Sequence, residues 1–104
     1  MRMRPTASWL DKMRTRHFMP EVSRFYGIAI RFYYREHPPE HFHAIYGEHE
    51  ALIEIGTGRI HEGFLPPKAL QLVNEWRLLH HEELMEAWRR CRAELPLQSI
   101  EPLE

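Results

Sequence analysis

The chain has 104 residues, of which 14 are Lys or Arg and 15 are Asp or Glu, so it is nearly neutral and has the size of one ordinary domain. A hydrophobic content of 43% is enough for one core. The single cysteine excludes an internal disulfide and a zinc site built on several thiolates, and no apolar run reaches the roughly 18 residues of a membrane span. These features predict a cytoplasmic protein that does not enter a membrane.

Charge divides the chain at Met19. The basic residues of the first 18 positions are opposed by Asp11 alone, for a local net charge of +4, whereas the remaining residues sum to −5. We therefore expect residues 1–18 to form a basic, flexible N-terminal extension and residues 19–104 to form a single α+β domain. The extension lacks the apolar stretch of a secretory signal. Its charge makes nucleic acid or an acidic partner a candidate ligand of this arm.

Strand patterns fill the first half of the domain. The run FYGIAIRFYY is rich in β-branched and aromatic residues and predicts a long central strand. The prolines of residues 36–40 cannot donate to a sheet, so that segment is expected to be a connection. The strands are predicted at residues 25–34, 41–46, 49–55 and 59–64. Because the turns between them are short, the pattern favours an antiparallel meander of three to five strands.

The hydrophobic period becomes helical after Leu65. Two apolar stripes follow, formed by Ala69, Leu72, Val73, Trp76 and Leu79 and then by Leu84, Ala87, Trp88, Cys91 and Leu95. They predict either one helix bent near His80 or two separate helices, packed on one face of the sheet. The tail beyond Pro96 offers a further edge strand through Ile100.

Four of the eight histidines lie between positions 37 and 49. His41 and His43 are two residues apart on a predicted strand, so their side chains share one face with Cα atoms roughly 6 to 7 Å apart. His37 precedes the double proline, and His49 opens the next strand. Imidazole ligands without thiolates suit zinc or a similar divalent ion with one open position, which can activate water. The candidate metal ligands are therefore His37, His41, His43 and His49, and the candidate catalytic carboxylates are Glu40 and Glu48.

Two other interpretations of these histidines stay open at this stage. They can serve as hydrogen-bonded packing residues of the sheet, or as a polar surface for a substrate or partner. The fragment HFHAIYGE also resembles the first motif of the cupins, but no second motif follows, and the domain is short for that fold.

Several longer blocks occur in a fixed order: MPEVSRFYGIAIRFYYREHPPEHFHAIYGEHEALIEI, HEGFLPPKALQLVNEW, LHHEELMEAW and SIEPL. On these blocks the chain resembles the uncharacterised bacterial domain-of-unknown-function 4160 family over residues 19–103. That family's pattern H-x-P-P-H-F-H-A is matched at His37, Pro39, His41, Phe42, His43 and Ala44, while Glu40 replaces a proline. The resemblance implies a small bacterial protein without an established activity, often encoded beside another small uncharacterised protein, as in toxin–antitoxin modules.

These observations predict a small cytoplasmic protein-interaction module, one component of a toxin–antitoxin-like pair, with a small protein partner encoded nearby. The alternative hypothesis is a metal-dependent hydrolase, with RNA among its candidate substrates. In that alternative, the cluster of His37, His41 and His43 holds a divalent metal such as zinc, and a neighbouring carboxylate transfers the proton.

Overall fold

Five strands form one antiparallel sheet in which the spatial order equals the chain order, as the short turns predict. The computed structural model describes residues 19–104, and the predicted extension at residues 1–18 lies outside the described residues. Two helices follow the sheet, so the predicted α+β class is confirmed. The elements are β1 (Glu21–Phe25), β2 (Ile28–Arg31), β3 (His41–Tyr46), β4 (His49–Glu54), β5 (Ile60–Gly63), α1 (Pro67–Leu79) and α2 (His81–Arg92).

The prediction of one long central strand over residues 25–34 is wrong. The chain reverses at Tyr26 and Gly27, whose φ angles are +50° and +80°, and this two-residue turn separates β1 from β2. Positive φ at both central residues is the hairpin geometry that matches the twist of the flanking strands. Side-chain alternation does not reveal the turn, because tyrosine is itself common in strands. The central strand of the sheet is β3.

The turn at Gly47 and Glu48 sets the register between β3 and β4. It pairs Tyr46 with His49, and the same register places His43 opposite Leu52. Phe42 and Ala44 are fully buried in the core. Because neighbouring residues of a strand point to opposite faces, His41 and His43 project from the other face of β3.

Strand β5 approaches β4 closely at Gly63. A Cβ atom at this position would lie 1.9 Å from the backbone carbonyl oxygen of Glu50, and the φ angle of +85° is one that L residues rarely adopt. Only glycine fits such a contact without moving a strand.

The two C-terminal apolar stripes form two separate helices and not one bent helix. His80 lies between them with φ −121° and ψ 29° and ends α1. Pro67 stands at the first position of α1, where a missing N–H costs nothing. Helix α2 carries Glu82 and Glu83 in its first turn, which complements the positive end of the helix dipole.

Trp76 of α1 is the largest fully buried side chain and packs on the core face of the sheet. Its ring centroid lies 5.3 Å from that of Phe25 and 6.0 Å from that of Phe42. Its indole N–H donates a 2.8 Å hydrogen bond to the backbone carbonyl of Glu101. The core therefore extends from the sheet through α1 to the C-terminal tail.

The tail is held at the outer edge of β1 by Ile100. This side chain is buried in the core, and its backbone N–H donates a 2.7 Å hydrogen bond to the carbonyl oxygen of Val22. The predicted edge strand does not form, since residues 93–104 contain no strand. Over residues 19–104, no helix has both the length and the apolar content needed to cross a membrane.

Candidate metal centre

Three side chains from β3 and the connection before it converge on one point. Glu36, His41 and His43 each offer a ligand atom, and these atoms all lie within 4.8 Å of one another. The Nε2 atoms of His41 and His43 lie 2.5 and 2.8 Å from the same carboxylate oxygen, Oε1 of Glu36. Strand β3 supplies both imidazoles on one face, and residues 32–40 return over that face to supply the carboxylate.

A backbone contact fixes the tautomer of His41. Its Nδ1 atom lies 2.8 Å from the carbonyl oxygen of Pro39. A carbonyl oxygen only accepts hydrogen bonds, so Nδ1 carries the proton and donates it. The Nε2 atom of a neutral His41 then has a lone pair free for a metal ion, which is the usual arrangement of a ligating histidine.

Two side chains orient His43 in the same way. Its Nδ1 atom donates to Oε2 of Glu50 at 3.0 Å, and the Tyr33 hydroxyl donates to that same oxygen at 2.9 Å. The Tyr33 ring stacks on the imidazole, with the centroids 4.0 Å apart and the planes 14° apart. The pKa of Tyr33 is raised to about 12, mainly by burial and secondly by the hydrogen bond to Glu50. The hydroxyl therefore stays a donor at neutral pH.

The donor set requires a positive charge at its centre. With Nδ1 of both imidazoles already donating, each Nε2 atom can lie this close to a carboxylate oxygen only if it carries a second proton and donates it, or if a metal ion lies between the atoms. Burial alone raises the pKa of Glu36, but the hydrogen bonds to His41 and His43 outweigh it and lower the pKa overall. Glu36 is therefore ionised at neutral pH, which is the form that binds a cation.

The geometry fits a small divalent ion after a minor adjustment. Tetrahedral donors around zinc lie about 3.3 Å apart, so a bound ion requires the Glu36 oxygen to move outward from the two Nε2 atoms. The Glu36 side chain is 28% exposed, whereas those of His41 and His43 are 6% and 10% exposed. The carboxylate therefore has more room to shift than the two imidazoles have.

The surroundings combine an apolar wall with an open groove. The indole ring of Trp88 on α2 lies 5.0 Å from the ring of His41. On the other side, His43 borders a surface groove of about 290 Å³, whose other lining residues are Glu50, Leu52, Glu62 and Gly63. The groove therefore reaches His43 from the side of β4 and β5, and neither Glu36 nor His41 lines it.

The structure brings together only part of the predicted ligand set. His41 and His43 belong to the group of converging ligands, whereas His37 and His49 do not. His37 is exposed in the connection. His49 is exposed at the far end of the hairpin, where its ring lies 5.3 Å from that of Phe64.

The two predicted catalytic carboxylates lie outside the same group. Glu40 directly precedes β3, and its backbone carbonyl accepts a hydrogen bond from Ile55. Glu48 is exposed in the turn between β3 and β4. Their assignment to proton transfer stays a prediction.

Sequence reasoning missed Glu36 as a ligand, and it missed Glu50 and Tyr33 as partners of His43. One signal for Glu50 was present. A two-residue turn at Gly47 and Glu48 pairs Tyr46 with His49, and that register alone places Glu50 on the face that carries His43. No comparable signal was present for Glu36, because an irregular connection positions it.

Comparison with known proteins supplies a family but no activity. No curated protein and no solved structure shows significant similarity to the chain. The family described as "Domain of unknown function (DUF4160)" matches residues 27–89, which is more than half of the chain. The match runs from the turn after β1 to within α2 and includes Glu36, His41, His43 and Glu50. The chain therefore belongs to the DUF4160 family.

Proposed function

We propose that the protein is a metal-dependent hydrolase that binds one divalent cation through Glu36, His41 and His43. The observation that carries the proposal is the convergence of both Nε2 atoms on one oxygen of Glu36. Each Nδ1 atom is already engaged by an acceptor. Because an acceptor already holds each Nδ1 proton, both Nε2 atoms and the Glu36 oxygen face one point, where a divalent ion can replace the Nε2 protons and be held by all three groups.

Two imidazoles and one carboxylate form a ligand set that zinc hydrolases use, with a fourth position left for water. A divalent ion held by these three residues would lower the pKa of a water at that position and polarise a substrate carbonyl. Glu36 and the histidines hold the ion, while the Trp88 ring excludes water from the side of His41.

The charges that line the groove beside His43 favour a neutral or cationic substrate over RNA, and Arg31, the ladder partner of His43, is paired with Glu21. The groove beside His43 is lined by the carboxylates of Glu50 and Glu62 and by no lysine or arginine. A polyanion needs clustered basic side chains to neutralise its phosphates. We therefore propose an ester or amide substrate without negative charge, hydrolysed in the cytoplasm.

Zinc titration of the purified chain tests the metal site. We expect one zinc ion per chain for the wild type and loss of binding for His41→Ala and for His43→Ala. His49→Ala is the matched control, because its exposed imidazole lies outside the converging group, and it should bind zinc like the wild type. A wild-type chain that takes up no divalent ion, or a His49→Ala variant that alone loses it, contradicts the site.

Hydrolysis assays on paired model substrates test the reaction. The zinc-loaded protein should cleave neutral aryl esters or amides faster than anionic phosphodiesters, and a chelator should abolish the activity. Zinc binding without any hydrolysis leaves the metal site standing and contradicts the assignment as a hydrolase.

A second candidate function is the interaction module that the family resemblance implies. Tyr26 is 59% exposed, and Phe64 is 56% exposed. Tyr26 and Tyr46 line a small cavity of about 80 Å³ together with Leu72. Exposed aromatic side chains are enriched at protein interfaces, so this end of the sheet is the surface that we propose for a small partner. Co-expression with the product of the neighbouring gene should give a stable complex that Tyr26→Ala weakens, and two proteins that purify separately contradict this candidate.

A further inference from the structure

The two histidines of the metal centre are held by different means. His41 donates to a backbone carbonyl, that of Pro39, and packs against Trp88. His43 depends on two side chains that come from other segments: Glu50 belongs to β4, and Tyr33 belongs to the connection after β2. A side-chain substitution can therefore remove the hydrogen-bond acceptor of Nδ1 in His43, whereas the acceptor of Nδ1 in His41 belongs to the backbone.

We infer that Tyr33 and Glu50 act as a positioning pair for His43 and set the affinity of the metal site. The inference rests on the proposed metal centre and extends it to residues that do not touch the ion. The pair closes a ring of contacts: the Tyr33 hydroxyl and Nδ1 of His43 donate to the same oxygen of Glu50, while the Tyr33 ring stacks on the imidazole.

Each contact in this ring has a separate effect. The Glu50 carboxylate keeps the proton on Nδ1, so Nε2 stays available to the metal, and its negative charge makes the imidazole a stronger ligand. The Tyr33 hydroxyl holds the carboxylate in place. The stacked Tyr33 ring restricts rotation of the imidazole before any ion binds. Metal binding then costs less side-chain conformational entropy.

The groove offers a matched control for charge. Glu62 lines the same groove as Glu50, is exposed, and lies opposite Leu52 in the ladder between β4 and β5. Replacing either glutamate by glutamine removes one negative charge from this face. Only the substitution at Glu50 alters the group that accepts the proton of His43.

The test compares zinc affinity and cobalt spectra of the full chain and three variants. Glu50→Gln should lower zinc affinity by about 10- to 100-fold, the usual effect of losing such a partner. Tyr33→Phe keeps the stacked ring and should lower the affinity by a smaller factor, and Glu62→Gln should bind zinc like the wild type. The absorption spectrum of bound Co²⁺ should change in Glu50→Gln and stay constant in Glu62→Gln, a response that loss of stability alone does not produce.

The outcomes separate this inference from the proposed function. Suppose that the wild type binds zinc, and that Glu50→Gln and Tyr33→Phe both match its zinc affinity and Co²⁺ spectrum. The inference that these residues position His43 is then wrong, while the metal site stands. If Glu50→Gln and Glu62→Gln lose affinity equally, charge alone is responsible and the inference is also wrong. A wild type without zinc binding overturns both. If Glu50→Gln does not fold, Tyr33→Phe decides the question.

Discussion

The Nδ1 atom of His43 lies 3.0 Å from a carboxylate oxygen of Glu50, so a hydrogen bond joins the face of the central strand to its neighbour β4 at the candidate metal centre. Because both residues belong to paired strands, their separation is set by the ladder and not by a flexible loop. Sites on regular elements hold their ligands more precisely than sites on loops do. The adjustable member of the centre is Glu36, which comes from a connection.

Replacing Glu36 with glutamine should abolish tight zinc binding. The amide keeps the shape of the side chain but loses the charge that balances the cation. We expect zinc affinity to fall by more than about 100-fold, which exceeds the usual effect of losing a residue that only hydrogen-bonds a ligand. Glu40→Gln is the matched control within the same connection. Titration calorimetry on both variants measures the difference, and equal affinities would remove Glu36 from the ligand set.

Stability should fall at high pH because of Tyr33. Its folded-state pKa is raised to about 12 from an ordinary value of 10, so the folded chain keeps the phenol proton that the unfolded chain releases. The stability that the protonated Tyr33 adds to the folded state is therefore fully present below pH 10. It is lost as the pH rises from 10 to 12. Urea unfolding at pH 9 and pH 11.5 should show a larger drop for the wild type than for Tyr33→Phe, and equal drops contradict the raised pKa.

Gly63→Ala should weaken the fold. The added methyl group would meet the backbone of Glu50 and would force a strained φ angle, so the free energy of unfolding should fall by at least about 2 kcal/mol. Gly56→Ala is the control, because a Cβ there has no neighbour within 4 Å, and its effect should stay within about 0.5 kcal/mol. Chemical denaturation measures both values, and a Gly63→Ala variant as stable as the control contradicts the close approach of β5 to β4.

Ile100→Ala should show that the tail belongs to the core. Removing this buried side chain should cost about 2 to 4 kcal/mol of unfolding free energy. Glu101→Ala changes an exposed side chain but keeps the backbone carbonyl that accepts from Trp76, so its effect should stay within about 0.5 kcal/mol. Thermal unfolding of the two variants is the measurement. A tail that contributes nothing leaves both curves unchanged.

Much of the fold follows from local pattern, and the exceptions have physical causes. Alternation in residues 49–54 predicts β4, because one face of that strand is buried, whereas β3 is marked by the proline connection before it and the glycine turn after it. The same rule fails at Tyr26, where a strand-forming residue occupies a hairpin turn with φ +50°. The neighbouring glycine makes the second left-handed position easy to adopt, and this was the available sign of the turn.

The candidate site is harder to predict than the sheet, because its members come from unlike segments. His41 and His43 follow from strand alternation alone. His49 is one residue closer to His43 in sequence than Glu50 is, yet the hairpin register carries His49 to the far end and brings Glu50 alongside. Glu36 reaches both histidines through an irregular connection in which Arg35 has a φ angle of +71°, and no periodicity describes such a path.

An anomalous X-ray map of zinc-soaked crystals shows directly whether Glu36, His41 and His43 bind one ion. We expect one strong zinc peak about 2.0 to 2.2 Å from Nε2 of His41, Nε2 of His43 and a carboxylate oxygen of Glu36. An absent peak at saturating zinc, or zinc bound only at surface histidines such as His49, would contradict it.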